Sequence, residues 1–241
     1  MNRRHVLKLL GAGSCGAATL LAGRSLYRYS ASQASRGGTG EPKNPFGLFD
    51  VDSRELNKAG DGLGFRPRVE PLIDRLMRLY ALAEQRRAPL VFTTCCSGRM
   101  LRADSVPEVL FVPLDAAQRQ WEGQIRERRL FYLEKNANYH MFEYNGNAAR
   151  LVQALNVGEW IIFGNGFDMC IDSDVRGLLA AGQKVCLLSD VYARSARGYF
   201  VPTARGRFET ATPENEARLI SEFRQLGVRT ATLEEFLASV S

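Results

Sequence analysis

The chain has 241 residues, of which 45% are hydrophobic and 24% charged, a composition suited to one globular domain with a short extension. No apolar run reaches the roughly 18 residues of a conventional membrane-spanning helix, so none is expected. The net charge of +6 is concentrated in residues 1–34, whose five unopposed basic residues leave +1 for the rest, and this argues against the basic folded surface that a nucleic-acid partner requires.

Residues 1–34 have the order of features found in an export signal. The segment Asn2-Arg3-Arg4-His5-Val6-Leu7-Lys8 resembles a twin-arginine motif, and a Gly- and Ala-rich apolar stretch and the small residues Ser32-Gln33-Ala34 follow it. We therefore expect a twin-arginine-type signal peptide over 1–34 and a periplasmic or otherwise exported protein that meets the membrane only through this signal. The alternatives are an uncleaved membrane anchor and a basic tail without a targeting role.

Beyond a Gly- and Pro-rich linker at 35–45, the folded domain is expected over 46–241. Apolar runs of strand length alternate there with segments whose apolar residues recur at helical spacing. The expected strands are 46–51, 90–95, 130–134, 160–163, 184–189 and 228–232, with a short extended segment at 109–112. The expected helices are 69–85, 116–128, 148–155, 171–181 and 213–226. This alternation predicts an α/β fold, a three-layer α/β/α sandwich with a mostly parallel, roughly six-stranded sheet.

Three candidate catalytic residues follow three of these strands. Asp50 lies at the end of the first strand, Lys135 follows the strand at 130–134, and Cys170 follows the strand at 160–163 at the start of a predicted helix. The carboxyl ends of parallel strands share one edge of the sheet, so a carboxylate, an ammonium and a thiol are expected to meet there. The carboxylate can take the thiol proton, while the ammonium and the helix N-terminus favour the thiolate. Each residue alone is more often a loop acid, a surface charge or a small buried side chain, so their joint placement carries the hypothesis.

This arrangement resembles the isochorismatase-like cysteine hydrolases over residues 46–238. The resemblance is carried by the apolar strand before Asp50, the segment from Lys135 to Phe142, the Gly-x-x-x-Asp-x-Cys segment from Gly164 to Cys170, and Gly182 to Val185 followed by Ser189-Asp190. It implies hydrolysis of a small amide, ureido or similar carbon–nitrogen bond. It also implies that Asp50 is the general base, that Lys135 holds Asp50 and Cys170 in a charged network, and that Cys170 is the nucleophile.

The resemblance further implies a cis peptide bond at Asn165–Gly166 and an oxyanion hole formed by the backbone N–H groups of Gly166 and Cys170. A small-molecule substrate is expected, and a homo-oligomer stays an open alternative, since relatives often associate. Loop position alone nominates four substrate-binding residues, with local packing as an equal alternative for each: Arg99, Tyr139, His140 and Phe167.

The chain departs from those relatives that bind a metal through an Asp and two His. Residues 94–98, Thr-Cys-Cys-Ser-Gly, stand where such relatives have an Asp-x-His segment, and the chain's two histidines are His5 and His140. We therefore expect no His-based metal site and no cofactor. Asp52 stands where many relatives have Gln, and it either raises the pKa of Asp50 or is a solvated acid, which is the expectation here.

Cys95 and Cys96 are expected at the same edge of the sheet as Cys170. In an oxidising compartment a vicinal disulfide or a bridge to Cys170 would silence the nucleophile, whereas Cys186 lies inside a predicted strand and is expected in the core. Two other functions therefore stay open. One is an isochorismatase-type ether hydrolysis that does not use Cys170 as nucleophile, and the other is a non-catalytic binding or redox-responsive protein on the same fold.

Overall fold

A computed structural model describes residues 41–53, 66–93, 108–135, 141–193, 201–202, 208–209 and 213–241. The predicted signal peptide lies outside these ranges, as do Cys95, Cys96, Arg99, Tyr139 and His140. Within them, no helix is both long enough and apolar enough to cross a bilayer.

Strands and helices alternate along the described chain, as the apolar periodicity predicts. The strands are β1 Gly47–Val51, β2 Leu90–Phe92, β3 Val109–Val112, β4 Leu130–Leu133, β5 Trp160–Asn165, β6 Val185–Ala193, β7 Val201–Pro202, β8 Phe208–Glu209 and β9 Arg229–Ala231. The α-helices are α1 Arg66–Arg86, α2 Met141–Tyr144, α3 Ala148–Leu155, α4 Asp172–Ala180, α5 Pro213–Gln225 and α6 Leu233–Val240. A 3₁₀ helix spans Gln120–Glu127, and a π-helical turn at Phe167–Ile171 leads directly into α4.

The main sheet has seven strands in the order β3-β4-β2-β1-β5-β6-β9, and every pairing in it is parallel. The predicted α/β/α architecture is confirmed, with seven strands in place of roughly six. The additional strand is the short extended segment at 109–112, which pairs with β4 along its whole length and forms one edge. The two-residue strands β7 and β8 pair antiparallel outside this sheet.

The two faces of the sheet bury separate hydrophobic cores. On one face, which we call the α1 face, Leu48 of β1 packs with apolar side chains of α1 and α6. On the other, the α4 face, Phe49 and Val51 of β1 pack with side chains of α2, α3, α4 and α5. Successive residues of a strand point to opposite faces, so β1 contributes to both cores. Cys186 lies in the core of the α1 face, as predicted for a residue inside a strand, and burial raises the pKa of its thiol to about 12.

Some boundaries differ from the expected ones. The segment predicted as a helix at 116–128 forms the 3₁₀ helix, which buries Trp121. Part of the predicted linker contacts the domain, since the Lys43 N–H donates to the Asn156 carbonyl at 2.9 Å and Asn44 forms a bridge with Val157. Helix α6, which the apolar pattern did not predict, begins at a complete capping box between Thr232 and Glu235.

Candidate active site

The connections on the two sides of β1 create a crevice at the carboxyl edge of the sheet. The chain leaves β1 toward α1 on one face, and it leaves the neighbouring strand β5 toward α4 on the opposite face. Adjacent parallel strands whose connections diverge in this way open a crevice at their carboxyl ends, where ligands bind in α/β folds. Four polar or reactive residues follow the strands that end at this edge: Asp52 after β1, Thr93 after β2, Lys135 after β4 and Cys170 after β5.

A buried ion pair lies at this edge. The ammonium of Lys135 donates to Oδ2 of Asp52 at 2.7 Å, and the two side chains are 0% and 1% exposed. Burial alone would lower the pKa of Lys135, but the charges of Asp52, Asp174 and Cys170 together raise that pKa above its usual value. Lys135 is therefore a permanent cation at neutral pH, and the charge of Cys170 is one of those that act on it.

Thr93 holds the carboxylate of Asp52 in place. Its hydroxyl donates to Oδ1 of Asp52 at 2.8 Å and accepts the backbone N–H of Asp52 at 3.2 Å. Both carboxylate oxygens of Asp52 are thus hydrogen-bonded, as a buried charge requires. Asp52 is 1% exposed, so the expectation of a solvated acid was wrong, whereas the alternative that it raises the pKa of Asp50 agrees with the structure, where it is the smallest cause of that shift.

A backbone conformation directs Asp52 toward Lys135. Asp52 has φ +55°, in the left-handed region that Asp tolerates better than most residues. Regular alternation along β1 would send Asp50 and Asp52 to the same face, but the left-handed residue ends this alternation. Lys135 and Thr93 continue the alternation of β4 and β2 on the α4 face, where they meet Asp52.

Asp50 belongs to a different environment from the one predicted. It shares the α1 face with Leu48, and its Oδ2 accepts a 2.5 Å hydrogen bond from the Tyr80 hydroxyl of α1, while Oδ1 accepts the backbone N–H of Ser53 at 3.3 Å. Burial raises the pKa of Asp50 to about 6 although these hydrogen bonds oppose the shift. The expected pairing of Asp50 with Lys135 is corrected here, because the carboxylate bonded to Lys135 is that of Asp52.

Cys170 lies in the π-helical turn that precedes α4. The turn is closed by a 3.0 Å hydrogen bond from the Ile171 N–H to the Gly166 carbonyl, and Cys170 is 7% exposed. The position of Cys170 at the start of a helix favours an anion there, because the first turn of a helix carries partial positive charge.

The predicted oxyanion hole needs the backbone N–H of Gly166, but this group already donates a hydrogen bond within the protein. The Gly166 N–H donates to the carbonyl of Ala193 in β6 at 3.1 Å. The predicted cis bond at Asn165–Gly166 was wrong, because no cis peptide occurs in the described ranges. The chain turns here instead through two glycines with positive φ, Gly164 at +130° and Gly166 at +73°.

Phe167 packs in the core instead of lining a pocket. It is 1% exposed, it stacks on Tyr192 with ring centroids 4.2 Å apart, and it meets the edge of Phe223. Local packing, the alternative weighed for this residue, is therefore what the structure has. The other three nominated residues lie outside the described ranges, so their roles stay predictions: Arg99, Tyr139 and His140.

Two residues of the site were not singled out from the sequence. Thr93 could have been noticed as a polar residue directly after an apolar strand. Asp174 sits on α4 among the buried residues Ile171, Val175 and Leu178, whose helical spacing marks the buried side of this helix. It is 0% exposed and lies one helical turn after Cys170.

A metal site of the kind found in some relatives does not fit this chain. The donor set of an Asp and two His has no counterpart after β2, where residues 94–98 contain no histidine. In the part of the chain that the structure describes, no three His, Cys, Asp or Glu side chains come close enough to hold a metal ion.

Solved structures of hydrolases share this fold. The chain is similar to the pyrazinamidase of Pyrococcus horikoshii in complex with zinc (TM-score 0.51, 16% identity, 78% of this chain and 99% of that one). It is also similar to an isochorismatase from Pseudomonas putida KT2440 (TM-score 0.51, 14% identity, 86% and 97%). A third is the nicotinamidase of Staphylococcus aureus (TM-score 0.50, 13% identity, 78% and 97%). At these identities the likeness shows the fold, and it confirms the isochorismatase-like fold that the sequence resemblance implied.

No family model matches the chain, and no curated protein matches it either.

Proposed function

We propose that this chain is a cysteine hydrolase that cleaves a small amide or ureido carbon–nitrogen bond, with Cys170 as its nucleophile. The observation that carries the proposal is the buried Lys135–Asp52 pair, whose ammonium lies within electrostatic reach of Cys170 at the carboxyl edge of the sheet. A thiol beside a permanent cation and at a helix start has the environment of a reactive cysteine. The shared fold with a pyrazinamidase and a nicotinamidase supports small amides as the substrate class.

The first chemical step forms a thioester and releases the amine. The thiol proton of Cys170 passes to the carboxylate of Asp52, and Lys135 stabilises the thiolate that remains. The sulfur attacks the substrate carbonyl carbon, and the tetrahedral intermediate collapses with cleavage of the carbon–nitrogen bond. The leaving nitrogen takes back the proton held by Asp52, so ammonia or an amine departs as a neutral molecule.

The second step restores the enzyme with water. Asp52 accepts a proton from the attacking water, the carbon–sulfur bond of the thioester breaks, and the thiolate of Cys170 leaves. The carboxylic or carbamic acid product and the regenerated thiol complete the cycle. Lys135 stays protonated throughout, because its raised pKa keeps it out of the proton transfers.

Asp52 takes the role that the resemblance assigned to Asp50. Asp52 is hydrogen-bonded to Lys135, the ammonium on which the charge of Cys170 acts, whereas Asp50 is hydrogen-bonded to Tyr80 and Ser53 on the opposite face of the sheet. The two carboxylates are separated by one residue in the chain, so substituting each of them by Asn makes a matched pair of variants. Asp52→Asn should abolish turnover and Asp50→Asn should retain most of it.

The test is a screen of ammonia release from a panel of small amides and ureido compounds by the full chain under reducing conditions. Cys170→Ala, Asp52→Asn and Asp50→Asn are measured beside the wild-type protein, each after its fold has been checked by circular dichroism. Turnover that disappears in Cys170→Ala and Asp52→Asn, and survives in Asp50→Asn, supports the proposal.

Other outcomes point to other functions. Ammonia release that survives Cys170→Ala sinks the nucleophile assignment and points to a hydrolysis that does not use this thiol, as in the isochorismatase-type alternative. Loss of turnover in Asp50→Asn with retention in Asp52→Asn returns the base to Asp50. No turnover on any compound shifts weight to a binding or redox-responsive role.

Export completes the proposal, with the twin-arginine-like segment around Arg3 and Arg4 as its support. A chain with both arginines replaced by Lys should accumulate in the cytoplasm, whereas the wild-type chain should reach the periplasm. Equal distribution of the two chains after cell fractionation would refute a twin-arginine signal.

A further inference from the structure

Asp174 on α4 is a buried acid to which the proposed chemistry assigns no role. Its side chain is 0% exposed, and neither carboxyl oxygen has a hydrogen-bond partner among the described residues. Buried carboxyl groups are nearly always hydrogen-bonded or paired. A charged one that has no partner costs about 3 kcal/mol or more. An acid kept in this condition calls for a reason other than stability.

The position of Asp174 connects it with the thiol. It lies four residues after Cys170, and this spacing brings side chains onto the same side of a helix. Cys170 and the neighbours of Asp174 on α4, Val175 and Leu178, belong to the core of the α4 face. That is also the face on which Lys135 and Asp52 form their ion pair.

One cation serves three acidic groups in this cluster. The charges of Asp52, Asp174 and Cys170 all act on Lys135, and Asp52 also accepts a hydrogen bond from it at 2.7 Å. The charged groups that act on Asp174 are Lys135 and Asp52, and among the described residues no other charged group acts on it from the elements that pack against α4, namely α2, α3, β6 and the π-helical turn. Burial raises the pKa of Asp174 to about 8, with Asp52 adding to the rise and Lys135 opposing it, so the carboxyl is mostly protonated at neutral pH.

The charges then balance in one arrangement and not in another. With Asp174 protonated, the ammonium of Lys135 faces the carboxylate of Asp52 and has one further anion to stabilise, the thiolate of Cys170. With Asp174 ionised, Lys135 must stabilise a second buried carboxylate, and less of its charge is left for the thiolate of Cys170. Two acids whose anions are stabilised by the same buried cation compete for it, so ionisation of one makes ionisation of the other less favourable.

We propose that Asp174 is a positioning residue of this site, an acid that competes with Cys170 for the charge of Lys135, so that near neutral pH the site holds one of the two as an anion. Asp174 acts through Lys135 and does not contact the substrate. The thiolate forms while Asp174 keeps its proton, and the exchange involves only proton transfer to and from solvent or Asp52. The inference rests on the proposed active site, but its test is thiol ionisation and needs no substrate.

The first measurement is the rate at which iodoacetamide alkylates Cys170 between about pH 6 and about pH 10, with the modified peptide identified by mass spectrometry because the chain has five cysteines. Asp174→Asn is compared with the wild-type chain and with Asp172→Asn. Asp172 is the matched control, since it lies in the first turn of the same helix but pairs with Arg176 outside the buried cluster.

The second measurement is the carbon-13 NMR titration of the Asp174 carboxyl, in the wild-type chain and in Cys170→Ala. Competition between two acids shifts the group that titrates later, so one of the two measurements must respond whichever group ionises first. This second measurement needs no substitution of Asp174, so a shift of its titration in Cys170→Ala supports the inference even if Asp174→Asn does not fold.

The expected result is a shift by about one pH unit, a tenfold change in the ionisation constant. Either Asp174→Asn moves the alkylation midpoint of Cys170 to lower pH while Asp172→Asn leaves it in place, or Cys170→Ala moves the midpoint of Asp174 to lower pH. Both midpoints unchanged, or an equal shift in Asp172→Asn, would overturn the inference. A shift together with no turnover on any amide would refute the proposed hydrolase and leave the coupling of Asp174 and Cys170 standing.

Discussion

Lys135 and Asp52 form an ion pair closed off from solvent, with 2.7 Å between Nζ and Oδ2 and side chains that are 0% and 1% exposed. Such a pair adds little net stability, because the cost of removing both charges from water offsets most of their attraction. Removing one partner, in contrast, leaves the other charge alone in the interior. The stability of the domain therefore depends on two of the groups that the proposed chemistry uses.

Lys135→Met is expected to lower the free energy of unfolding by about 3 to 5 kcal/mol at neutral pH, because it leaves the carboxylate of Asp52 buried without its cation. The measurement is guanidinium denaturation followed by circular dichroism. The double variant Asp52→Asn/Lys135→Met leaves no buried charge without a partner and should recover most of this lost stability. A double variant as unstable as the two single variants added together would show that the groups are not coupled.

Thr93→Val is expected to cost about 1 to 3 kcal/mol and to reduce turnover. The Val side chain has the shape of Thr without the hydroxyl that donates to Oδ1 of Asp52 and accepts its N–H. Thr93→Ser keeps the hydroxyl and is the matched control for both readouts, thermal unfolding and ammonia release. A Val variant as stable and as active as the wild type would show that the hydroxyl is not needed at this position.

Asp50→Asn is expected to stabilise the domain increasingly as the pH rises. The pKa of Asp50 is raised by burial from 3.8 to about 6 in the folded state, so the folded state binds its proton more tightly than the unfolded state does. The wild-type domain therefore has this contribution in full below about pH 4 and loses it as the pH rises through about 6, up to roughly 3 kcal/mol. Asn does not titrate, so the difference between variant and wild type should grow from pH 4 to pH 7.

Urea denaturation of both proteins at several pH values checks this expectation. A difference that is constant with pH, or that shrinks as the pH rises, would show that Asp50 ionises as easily in the folded state as in the unfolded one.

Gly164→Ala is expected to prevent folding or to destabilise the domain by more than about 3 kcal/mol. A Cβ at this position would lie 2.1 Å from the carbonyl oxygen of Val51 in the neighbouring strand, and φ is +130°. Gly123→Ala is the control, since a Cβ there meets nothing within 4 Å and the residue is exposed in the 3₁₀ helix. Its thermal midpoint should stay within about 2 °C of wild type, and a tolerated Gly164→Ala would refute the close approach of β1 and β5.

Most of the sheet was predictable from the chain because a parallel sheet is covered on both faces. Its strands read as short, nearly continuous apolar runs, such as Trp160-Ile161-Ile162-Phe163, and these stand out from helices whose apolar residues recur at wider spacing. Once the strands are located, Lys135 and Cys170 follow at their carboxyl ends without further assumptions. The fold class and these two positions are therefore properties of local pattern.

The choice of carboxylate was not predictable in the same way. Asp50 and Asp52 are two residues apart, and an alternating strand would treat them alike. They are separated by the left-handed backbone of Asp52, which depends on Thr93, a residue 41 positions later in the chain. A contact between distant segments leaves no periodic trace in the sequence.

Helix α6 and Asp174, in contrast, each have a signal in the sequence that is separate from the apolar periodicity. Thr232 followed three residues later by Glu235 is the sequence of a capping box, and the structure forms both of its hydrogen bonds. Asp174 is an acid between apolar residues at helical spacing, which is an unusual place for a charge. Both were visible before the structure was known.

The order of the strands also governs when the site comes into existence during folding. The ion pair joins residues 83 positions apart, and it needs β1, β2 and β4 side by side before the two charges can meet. Contacts this distant in the chain form late and slowly, because a long loop must close before any of them is made. An incompletely folded chain would therefore carry Cys170 without the buried cation that the proposed chemistry needs. Under the proposed function, hydrolase activity would then report a completely formed sheet, whereas thiol accessibility alone would not, because unfolding exposes Cys170 and Cys186.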